Sequence, residues 1–352
     1  MARTVFCGYA LIGSTILLIF IWMKTMQPNV YSRLKVYAQK TNGIPYLKTG
    51  EIPDLRTDDR PIKKTESTGK YSDIVKQERP VKVPVMYNWK NGQFELWNPS
   101  CQDEQFESTA LKTINGNTPI YIYDSKDYIS RQLLNYGVFE SDNANSIQKM
   151  LSENSGMGFL DIGSHFGTFS LMAAKLGHRV ISVDPMSSNA LRFCKSVYSG
   201  KLTSLVTIFH VALSNKRGII KLIRSINNSG RTFVEFVGSE VNNTKQEITP
   251  AVTLDDILPF IPFKTVFMKI DTESHEYQVF EGALETFKEL DIRYILMEWV
   301  FHGQMVYKKS SADKIIPFLT SRQYVPHTPL GTPLQVDKFK EWPLDVLWKK
   351  KV

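Results

Sequence analysis

The 352-residue chain has little of what several common protein classes require. It holds only 3 cysteines and 6 histidines, and their spacing forms no framework of metal ligands, so no structural zinc site is indicated. It also contains no Gly-x-Gly-x-x-Gly segment, the pattern that brings a pyrophosphate against bare backbone at the start of a helix. The scarcity of these patterns argues against a zinc-stabilised fold and against a dinucleotide-binding oxidoreductase.

Most of the chain, residues 91–352, has no excess of positive over negative charge. The formal net charge is +8, but residues 91–352 carry 28 Lys and Arg against 28 Asp and Glu. Residues 24–90 carry 14 Lys and Arg against 7 Asp and Glu. Because a nucleic-acid enzyme concentrates its positive charge on the folded domain, we do not expect a nucleic-acid substrate.

Charge is also missing from the 20 residues of 4–23, which Arg3 and Lys24 bracket. At about 1.5 Å per residue, such a helix spans the roughly 30 Å core of a bilayer. A cleaved signal peptide is disfavoured because 21–23 offers no small-residue cleavage site. The sequence therefore predicts a short cytoplasmic tail at 1–3, a transmembrane anchor at 4–23, a basic stem at 24–90 and a folded body at 91–352.

Two features of the sequence bear on the orientation of this anchor. Basic residues just after the anchor favour a cytosolic body under the positive-inside rule. The order of tail, anchor, stem and body nevertheless resembles that of type II Golgi enzymes, and on this resemblance we expect a luminal body in the Golgi or endoplasmic reticulum. Asn227 and Asn242 begin sequons that permit glycosylation there.

Two cysteines of the body, Cys101 and Cys194, are the ones that an oxidising lumen could pair, since Cys7 lies in the predicted anchor. Cys194 falls on a predicted helix. We expect it to be buried there as a small apolar residue.

The stretch 159–189 predicts a strand, a glycine turn, a helix and a second strand. Its bulky apolar start suits a buried strand, and Gly163 supplies the tight turn. Helical apolar spacing follows over 166–176. The next strand, 180–183, ends on the carboxylate of Asp184. This is a βαβ nucleotide-binding pattern.

The charges around this turn favour S-adenosylmethionine over NAD. The glycines Gly163 and Gly167 are spaced Gly-x-x-x-Gly, with Ser164 where a dinucleotide site has its second glycine. Asp161, at the strand end, would repel a pyrophosphate but suits an ammonium and a sulfonium. Asp184, 21 residues past Gly163, is placed to accept hydrogen bonds from both ribose hydroxyls.

A second informative block follows the predicted strand 266–270. Asp271, Glu273 and His275 gather at the carboxyl end of that strand, where open α/β sheets bind ligands. The next predicted strand, 292–297, delivers Glu298 to the same rim. Earlier in the chain, Glu140 falls near the cofactor end and could contact the methionine ammonium or lie on the surface.

With these two blocks the chain resembles the FkbM family of S-adenosylmethionine-dependent methyltransferases over about residues 115–350. The resemblance rests on the segments 159–167, 183–185 with Asn189, 253–256, 269–276 and 281–283. It implies an α/β, Rossmann-like class I methyltransferase fold with a seven-stranded, mostly parallel sheet, and methyl transfer most often to a hydroxyl. Three residues depart from the common family pattern: Ser164, Asp184, and Ser274, where glycine is usual.

The predicted cofactor site comprises Glu140, Asp161, Gly163, Ser164, Gly167, Asp184 and Pro185. For catalysis we predict that His275 takes the proton of the acceptor hydroxyl, with Asp271 or Glu273 orienting it or binding the acceptor. A divalent cation held by Asp271, Glu273, His275 and Glu276 is an alternative that we favour less.

The predicted acceptor is a hydroxyl of a sugar or glycan, because a luminal, membrane-tethered enzyme with a neutral body would meet glycans. Trp299, Phe301 and Trp342 are candidates to stack on sugar rings. A lipid or small-metabolite hydroxyl is the second choice. A non-catalytic S-adenosylmethionine-binding scaffold is an alternative of another class.

Overall fold

The structure, a computed structural model, describes residues 83–225, 228–236, 247–299 and 309–351. The predicted tail, anchor and most of the stem lie outside these residues, as do Phe301, Asn227 and the sequon at 242–244. None of the described helices is long and apolar enough to cross a membrane. All described residues belong to the second of two compact units, Gly69–Val352.

The described strands and helices alternate along most of the chain, as an α/β fold requires. The strands are β1 Val85–Lys90, β2 Gln93–Leu96, β3 Glu107–Leu111, β4 Thr118–Ile122, β5 Gly158–Ile162, β6 Val180–Asp184, β7 Val206–His210, β8 Ala212–Leu213, β9 Gly218–Ser225, β10 Asn228–Phe236, β11 Ile248–Val252, β12 Thr265–Ile270, β13 Asp291–Glu298, β14 Tyr324–His327 and β15 Asp345–Lys350. The α-helices are α1 Tyr128–Tyr136, α2 Ser141–Ser152, α3 Thr168–Lys175, α4 Ser187–Ser199, α5 Leu254–Ile257, α6 Glu276–Glu281, α7 Leu284–Glu289 and α8 Lys309–Thr320.

Nine of these strands form the central sheet, in the order β14-β15-β13-β12-β5-β6-β7-β1-β2. Strands β13, β12, β5, β6, β7 and β1 run parallel, and β15 lies antiparallel between β13 and β14. The predicted Rossmann-like methyltransferase fold is confirmed. The predicted seven strands are the run from β14 to β7, and β1 and β2 extend the sheet beyond it.

The extra strand β1 corrects the predicted boundary of the stem. Its residues, 85–90, were assigned to the stem, but they pair in parallel with β7. The Tyr87 ring stacks on Phe209 of β7, with ring centroids 5.2 Å apart, and Phe94 of β2 packs edge-on against the same phenyl ring. This aromatic contact with distant strands is not visible in the local sequence pattern, which is why the sequence analysis began the body at residue 91.

The remaining described strands form two smaller sheets. Strand β4 pairs with β3 and does not join the central sheet. Strands β10, β9, β11 and β8 form a four-stranded sheet.

The central strands are buried on both faces, which explains their nearly continuous apolar sequences. Alternation along β5 sends Leu160 and Ile162 to one apolar cluster and Phe159 to the other. The polar Asp161 lies on the Phe159 face, in register with Lys269 of β12. A buried carboxylate and a buried ammonium therefore occupy neighbouring positions inside this sheet.

A disulfide joins Cys101, in the segment after β2, to Cys194 of α4. The two Cα atoms lie 6.0 Å apart, within the usual range for a disulfide. The prediction that Cys194 is buried is confirmed, but the expectation of a small apolar residue without a bond is wrong. Packing of α4 against the distant segment after β2 brings the two sulfurs together.

Candidate active site

A cavity of about 420 Å³ opens at the carboxyl ends of β5, β6, β12 and β13. This is the edge of an open parallel sheet where ligands bind, and the size is typical of a small-molecule site. Eight of the ten predicted site residues line it: Glu140, Gly163, Ser164, Asp184, Pro185, Asp271, Glu273 and His275. The other two, Asp161 and Gly167, do not.

The cavity has two ends, because β6 and β13 are separated by β5 and β12 in the sheet. At about 4.8 Å per strand, this places the two ends on the order of 14 Å apart. We call the side formed by 163–168 and 184–189 the loop end. We call the side formed by 271–275, Glu298 and 344–345 the acidic end.

Gly163 lets the two central loops approach each other. Its φ is +76°, and a Cβ added there would lie 1.7 Å from the backbone oxygen of Asp271. The Asp271 amide donates to the Ile162 carbonyl at 3.0 Å, which joins the ends of β5 and β12. A side chain at residue 163 would separate these strand ends and deform the cavity wall.

Ser164 follows in the loop and is nine-tenths buried at the cavity wall. Its hydroxyl oxygen has no hydrogen-bond partner among the described residues. A buried hydroxyl of this kind is costly unless a ligand or water meets it. Ser164 is therefore a polar group available to a bound molecule.

Gly167 has a packing role instead of a place on the cavity surface. It has φ +83° at the N-cap of α3, and a Cβ there would lie 2.1 Å from the Phe193 ring. The glycine allows α3 to begin directly against α4. The predicted contact of Gly167 with a cofactor has no support from its position.

Asp184 is held by three donors at the end of β6. Its Oδ2 accepts from the His165 amide at 2.8 Å. Its Oδ1 accepts from the Met186 amide at 2.9 Å and from Asn189 Nδ2 at 3.0 Å. Burial raises the pKa of Asp184 to about 7, against the lowering effect of these hydrogen bonds. The carboxylate is thus oriented before any ligand arrives.

Asp161 lies beneath the cavity, not on its wall. It is fully buried, and Ser170 Oγ donates to its Oδ2 at 2.6 Å. Its Oδ1 has no hydrogen-bond partner among the described residues, and burial raises the pKa of the carboxyl despite the nearby Lys269 charge. Asp161 thus interacts electrostatically with Lys269 below the cavity wall, and its predicted contact with a cofactor stays a prediction.

Lys269 is a cavity-lining residue to which the sequence analysis assigned no role. Its ammonium lies 3.0 Å from Asp271 Oδ2 and 5.1 Å from the centre of the Phe169 ring. Burial alone lowers the pKa of Lys269, but the carboxylates of Asp271, Asp161 and Glu140 together raise it above its ordinary value. The lysine therefore stays charged. The signal in the sequence was a lysine inside the otherwise apolar strand 265–270.

His275 lines the acidic end, and its ring hydrogen-bonds to a serine. Its Nε2 lies 3.0 Å from Ser214 Oγ, and burial lowers the pKa of the ring below its ordinary value. The carboxylate of Asp271 pairs with Lys269 instead. The predicted orientation of His275 by a carboxylate is therefore replaced by orientation through Ser214.

Glu298 and its neighbours crowd several carboxyl groups into the acidic end. Oxygen atoms of Asp271, Glu273 and Glu298 lie within 4.8 Å of one another. Burial, followed by the charges of Asp271 and Glu273, raises the pKa of Glu298 to about 10. Its Oε2 has no hydrogen-bond partner among the described residues. Glu298 is accordingly protonated at neutral pH.

The three carboxyl groups of Asp271, Glu273 and Glu298 differ from the cation ligands predicted from the sequence. Glu276 is fully buried, and its Oε1 accepts from the Thr272 amide at 2.9 Å. It links the loop at Thr272 to the first residue of α6 and does not line the cavity. The divalent cation remains a less favoured prediction, with Glu298 in place of Glu276 and His275.

Glu140 and Asp345 extend the acidic end. Asn143 Nδ2 donates to Glu140 Oε2 at 2.8 Å. Although Glu140 as a residue keeps an exposed surface, desolvation of its carboxyl and the charge of Asp345 raise its pKa to about 7. Burial also raises the pKa of Asp345 to about 6. Because the pKa values of Glu140, Glu298 and Asp345 are all raised, the acidic end carries fewer negative charges at neutral pH than it has carboxyl groups.

The aromatic residues predicted to meet a sugar are in the wrong place. Trp299 and Trp342 are both 2% exposed, and their ring centroids lie 4.9 Å apart in the core. The cavity instead has two exposed apolar side chains, Tyr128 of α1 and Leu344 just before β15, with 44% and 57% of their surfaces exposed. Sequence periodicity does not reveal which aromatic residues a tertiary fold leaves uncovered.

The loop 271–275 contains two residues in the left-handed region. Glu273 has φ 52° and Ser274 has φ 77°. The sequence analysis had noted Ser274 as standing where glycine is usual in the resembled family. Its backbone has the conformation that glycine adopts at lowest cost, and such strain is common at functional sites.

Comparison with known proteins matches the same part of the chain. Residues 161–326 match the profile of the family described as Methyltransferase FkbM domain. Among curated proteins, none matches the chain.

Solved structures with a similar fold share little sequence identity with this chain. They include an O-methyltransferase from Bacillus cereus in complex with SAH, at 12% identity over 64% of this chain and 90% of that chain, with a TM-score of 0.36. The O-methyltransferase TomG from Streptomyces achromogenes, in complex with SAM, has 12% identity over 66% and 92%, with a TM-score of 0.36. A putative rRNA-methylase from Clostridium thermocellum has 11% identity over 61% and 99%, with a TM-score of 0.37. These likenesses are too weak to indicate a substrate.

Proposed function

We propose that this chain, which carries an FkbM methyltransferase domain over residues 161–326, is an S-adenosylmethionine-dependent O-methyltransferase acting on a sugar or glycan hydroxyl in the secretory pathway. The observation that carries the proposal is the pairing, in one cavity, of an oriented acidic loop end with a neutral histidine at the acidic end.

The loop end fits the nucleoside part of the cofactor. Asp184 offers the remaining lone pairs of an already oriented carboxylate to ribose hydroxyls, and Ser164 offers a hydroxyl without a partner among the described residues. Negative groups beside Lys269 suit the ammonium and sulfonium of the same molecule. When bound, S-adenosylmethionine supplies a methyl group on a positively charged sulfur.

His275 is the group best suited to accept the proton of the acceptor. Lys269 stays protonated, and Glu298, with a pKa of about 10, holds its proton at neutral pH. Burial lowers the pKa of His165 to about 4, which makes it a weak base. His275, whose pKa burial also lowers, is neutral at pH 7 and can take a proton.

His275 has a hydrogen-bond partner at one ring nitrogen, because its Nε2 lies 3.0 Å from Ser214 Oγ. In the tautomer that leaves a base for the acceptor, Nε2–H donates to Ser214 and Nδ1 is the basic nitrogen.

The acidic end favours a neutral, hydroxyl-rich acceptor. Carboxyl groups accept hydrogen bonds from sugar hydroxyls, and their shared negative charge disfavours phosphate or sulfate groups. Tyr128, exposed at the cavity, offers a flat aromatic face to the C–H side of a sugar ring. Tyr128 thereby takes the place that the sequence analysis gave to Trp299 and Trp342.

The disulfide supports the proposed compartment. Disulfides persist in the secretory pathway and are rare in the reducing cytosol. The Cys101–Cys194 bond therefore favours a luminal body behind the predicted anchor at 4–23. Digestion with a glycosidase offers an independent check, because a luminal chain with sequons shifts in gel mobility.

The proposal is tested with the full chain in detergent, isotopically labelled S-adenosylmethionine, and acceptor panels of neutral glycans, sulfated glycans and lipid or small-metabolite alcohols. We expect label on neutral glycans, with O-methyl sugars after hydrolysis. Label on lipid alcohols alone would show that the acceptor is a lipid hydroxyl and not a glycan hydroxyl. Binding of the cofactor without transfer to any panel would favour the scaffold alternative.

Tyr128→Ala tests the acceptor contact within the same assay. We expect a KM for the glycan about tenfold higher, because an aromatic contact is worth about 1 kcal/mol or somewhat more. Leu134→Ala, at another exposed position of α1 that does not line the cavity, is the matched control. Equal effects of both substitutions would contradict the stacking role of Tyr128.

A further inference from the structure

Asp184 does not reach its orientation alone, because a tyrosine from a distant strand end acts on it through Asn189. Tyr123 directly follows β4, and its hydroxyl lies 2.6 Å from Asn189 Oδ1. Asn189 Nδ2 lies 3.0 Å from Asp184 Oδ1. The three side chains form a chain of hydrogen bonds that ends at the carboxylate of the loop end.

The direction of each hydrogen bond follows from the acceptor at its end. Asp184 Oδ1 already accepts the Met186 amide, so Asn189 must present its NH₂ group to this oxygen. The amide oxygen of Asn189 then faces Tyr123 and needs a donor. The Tyr123 hydroxyl supplies that donor, and Ser188 Oγ, at 2.8 Å, is its second partner.

Tyr123 is itself held firmly. The Arg192 guanidinium lies 3.7 Å from the centre of its ring, and Arg192 Nε donates to the Ile122 carbonyl at 3.0 Å. Both contacts tie the end of β4 to α4, the helix that carries Asn189. The tyrosine hydroxyl therefore has a fixed position. From there it favours the orientation of the Asn189 amide in which Oδ1 faces Tyr123 over the flipped one.

We infer that Tyr123 is a positioning residue of the cofactor site, which locks the Asn189 amide so that Asp184 presents its carboxylate to the ribose hydroxyls. This inference rests on the proposed function. Without the tyrosine hydroxyl, the amide can rotate and turn its oxygen toward Asp184. The two oxygens would then repel each other, and the carboxylate would lose its fixed orientation.

The chain provides a matched control two residues before Tyr123. Tyr121, in β4, also places its hydroxyl on α4, 3.2 Å from Ser199 Oγ, and Lys195 lies over its ring at 4.9 Å. Tyr121→Phe and Tyr123→Phe each remove one hydroxyl bonded to the same helix. Of the two hydroxyls, the one on Tyr123 contacts Asn189.

The test measures binding of S-adenosylhomocysteine, and of its 2′,3′-dideoxy analogue, to the full chain by calorimetry. For Tyr123→Phe we expect about fivefold weaker binding of S-adenosylhomocysteine, the effect of one neutral hydrogen bond. Binding of the dideoxy analogue and kcat at saturating donor should stay unchanged. Tyr121→Phe should change none of these.

Equal losses for the two ligands, or equal losses in the two variants, would overturn the inference and leave only a structural role for Tyr123. A thermal midpoint that falls equally in both variants while only Tyr123→Phe loses ribose-dependent affinity would support it. Failure of the unaltered chain to bind S-adenosylhomocysteine would overturn the proposed function, and this inference with it.

Discussion

The carboxyl groups at the loop end and at the acidic end of the cavity are held in opposite ways. At the loop end, the Asp184 carboxylate accepts hydrogen bonds from three protein donors, which fix its orientation. At the acidic end, carboxyl groups crowd together, and an oxygen of Glu298 has no partner among the described residues. A preoriented carboxylate suits a cofactor that is bound in the same way in every cycle. A carboxyl group without a protein partner suits a site that a substrate completes.

The largest expected effect is a loss of turnover at the acidic end without a loss of cofactor binding at the loop end. His275→Ala should lower kcat about a thousandfold, because a positioned general base contributes roughly 10² to 10⁴ in rate. Cofactor affinity should change less than about twofold, since His275 belongs to the acidic end. Single-turnover methyl transfer and calorimetry give the two values.

Ser214→Ala is the companion variant for this prediction. It removes the partner of His275 Nε2 but keeps the base. A smaller loss, of about tenfold, is expected from the weaker orientation of the ring. A loss of cofactor affinity as large as the loss of turnover in His275→Ala would remove the histidine from catalysis.

A substitution at the loop end should have the opposite effect, a loss of cofactor affinity without a large loss of kcat. Asp184→Asn should weaken S-adenosylhomocysteine binding about a hundredfold, because hydrogen bonds to a charged group contribute roughly 1.5–3 kcal/mol each. At saturating donor, kcat should remain within a few-fold of the unaltered value. Calorimetry and initial rates separate these quantities.

Asp291→Asn is a control at a carboxylate far from the cavity, where the side chain is about half exposed. It should leave binding unchanged. If Asp184→Asn bound S-adenosylhomocysteine as tightly as the unaltered chain does, the cofactor role of the loop end would be wrong.

A change of pH should also act through the loop end. The pKa of Asp184 is about 7 before binding, and the ionised form is the better acceptor for ribose hydroxyls. The carboxylate gains a proton as pH falls, so affinity for S-adenosylhomocysteine should fall about tenfold from pH 8 to pH 6. Nearby Asp161 raises this pKa and the His165 amide lowers it.

Calorimetry in buffers of different ionisation enthalpy should detect release of protons on binding near pH 7. Asp184→Asn should abolish both the release and the pH step. Persistence of the step in that variant would assign it to another group.

The smallest expected effect concerns the strained loop of the acidic end. Ser274→Gly should raise the free energy of unfolding by about 1 kcal/mol, because a left-handed residue with a Cβ costs roughly 1–2 kcal/mol and glycine loses part of this gain through its backbone entropy. Chemical denaturation measures the change. Destabilisation would show that the Ser274 side chain makes a contribution larger than the strain.

Much of the central fold could be predicted from short segments. The strand and turn before α3 and the carboxylate that ends β6 follow from apolar runs, glycine positions and strand length, which are local properties. Gly163, Ser164, Asp184 and Pro185, which were predicted to bind the cofactor because they lie at or just after the strand ends, all line the cavity.

The local sequence does not reveal where a side chain lies relative to the neighbouring strand or helix. Asp161 was assigned to the cofactor from its place in the sequence, and register with β12 places it beside Lys269, below the cavity wall. Gly167 was assigned likewise, and the Phe193 ring of α4 occupies the space beside it. The cofactor contacts of these two residues stay predictions, because a local motif does not show which of its residues face the cavity.

By itself, the sequence determined the α/β class, the position of the glycine turn after β5 and the acidic residues at two strand ends, because these depend on periodicity and turn chemistry within a few residues. Only the tertiary structure decided that Ser214 holds His275, that the charges of Asp271 and Glu273 help to raise the pKa of Glu298, and that Tyr128 rather than a tryptophan is exposed. The physical reason is that strand order and packing bring together residues far apart in the chain. Burial, shared charge and exposure arise only from those contacts.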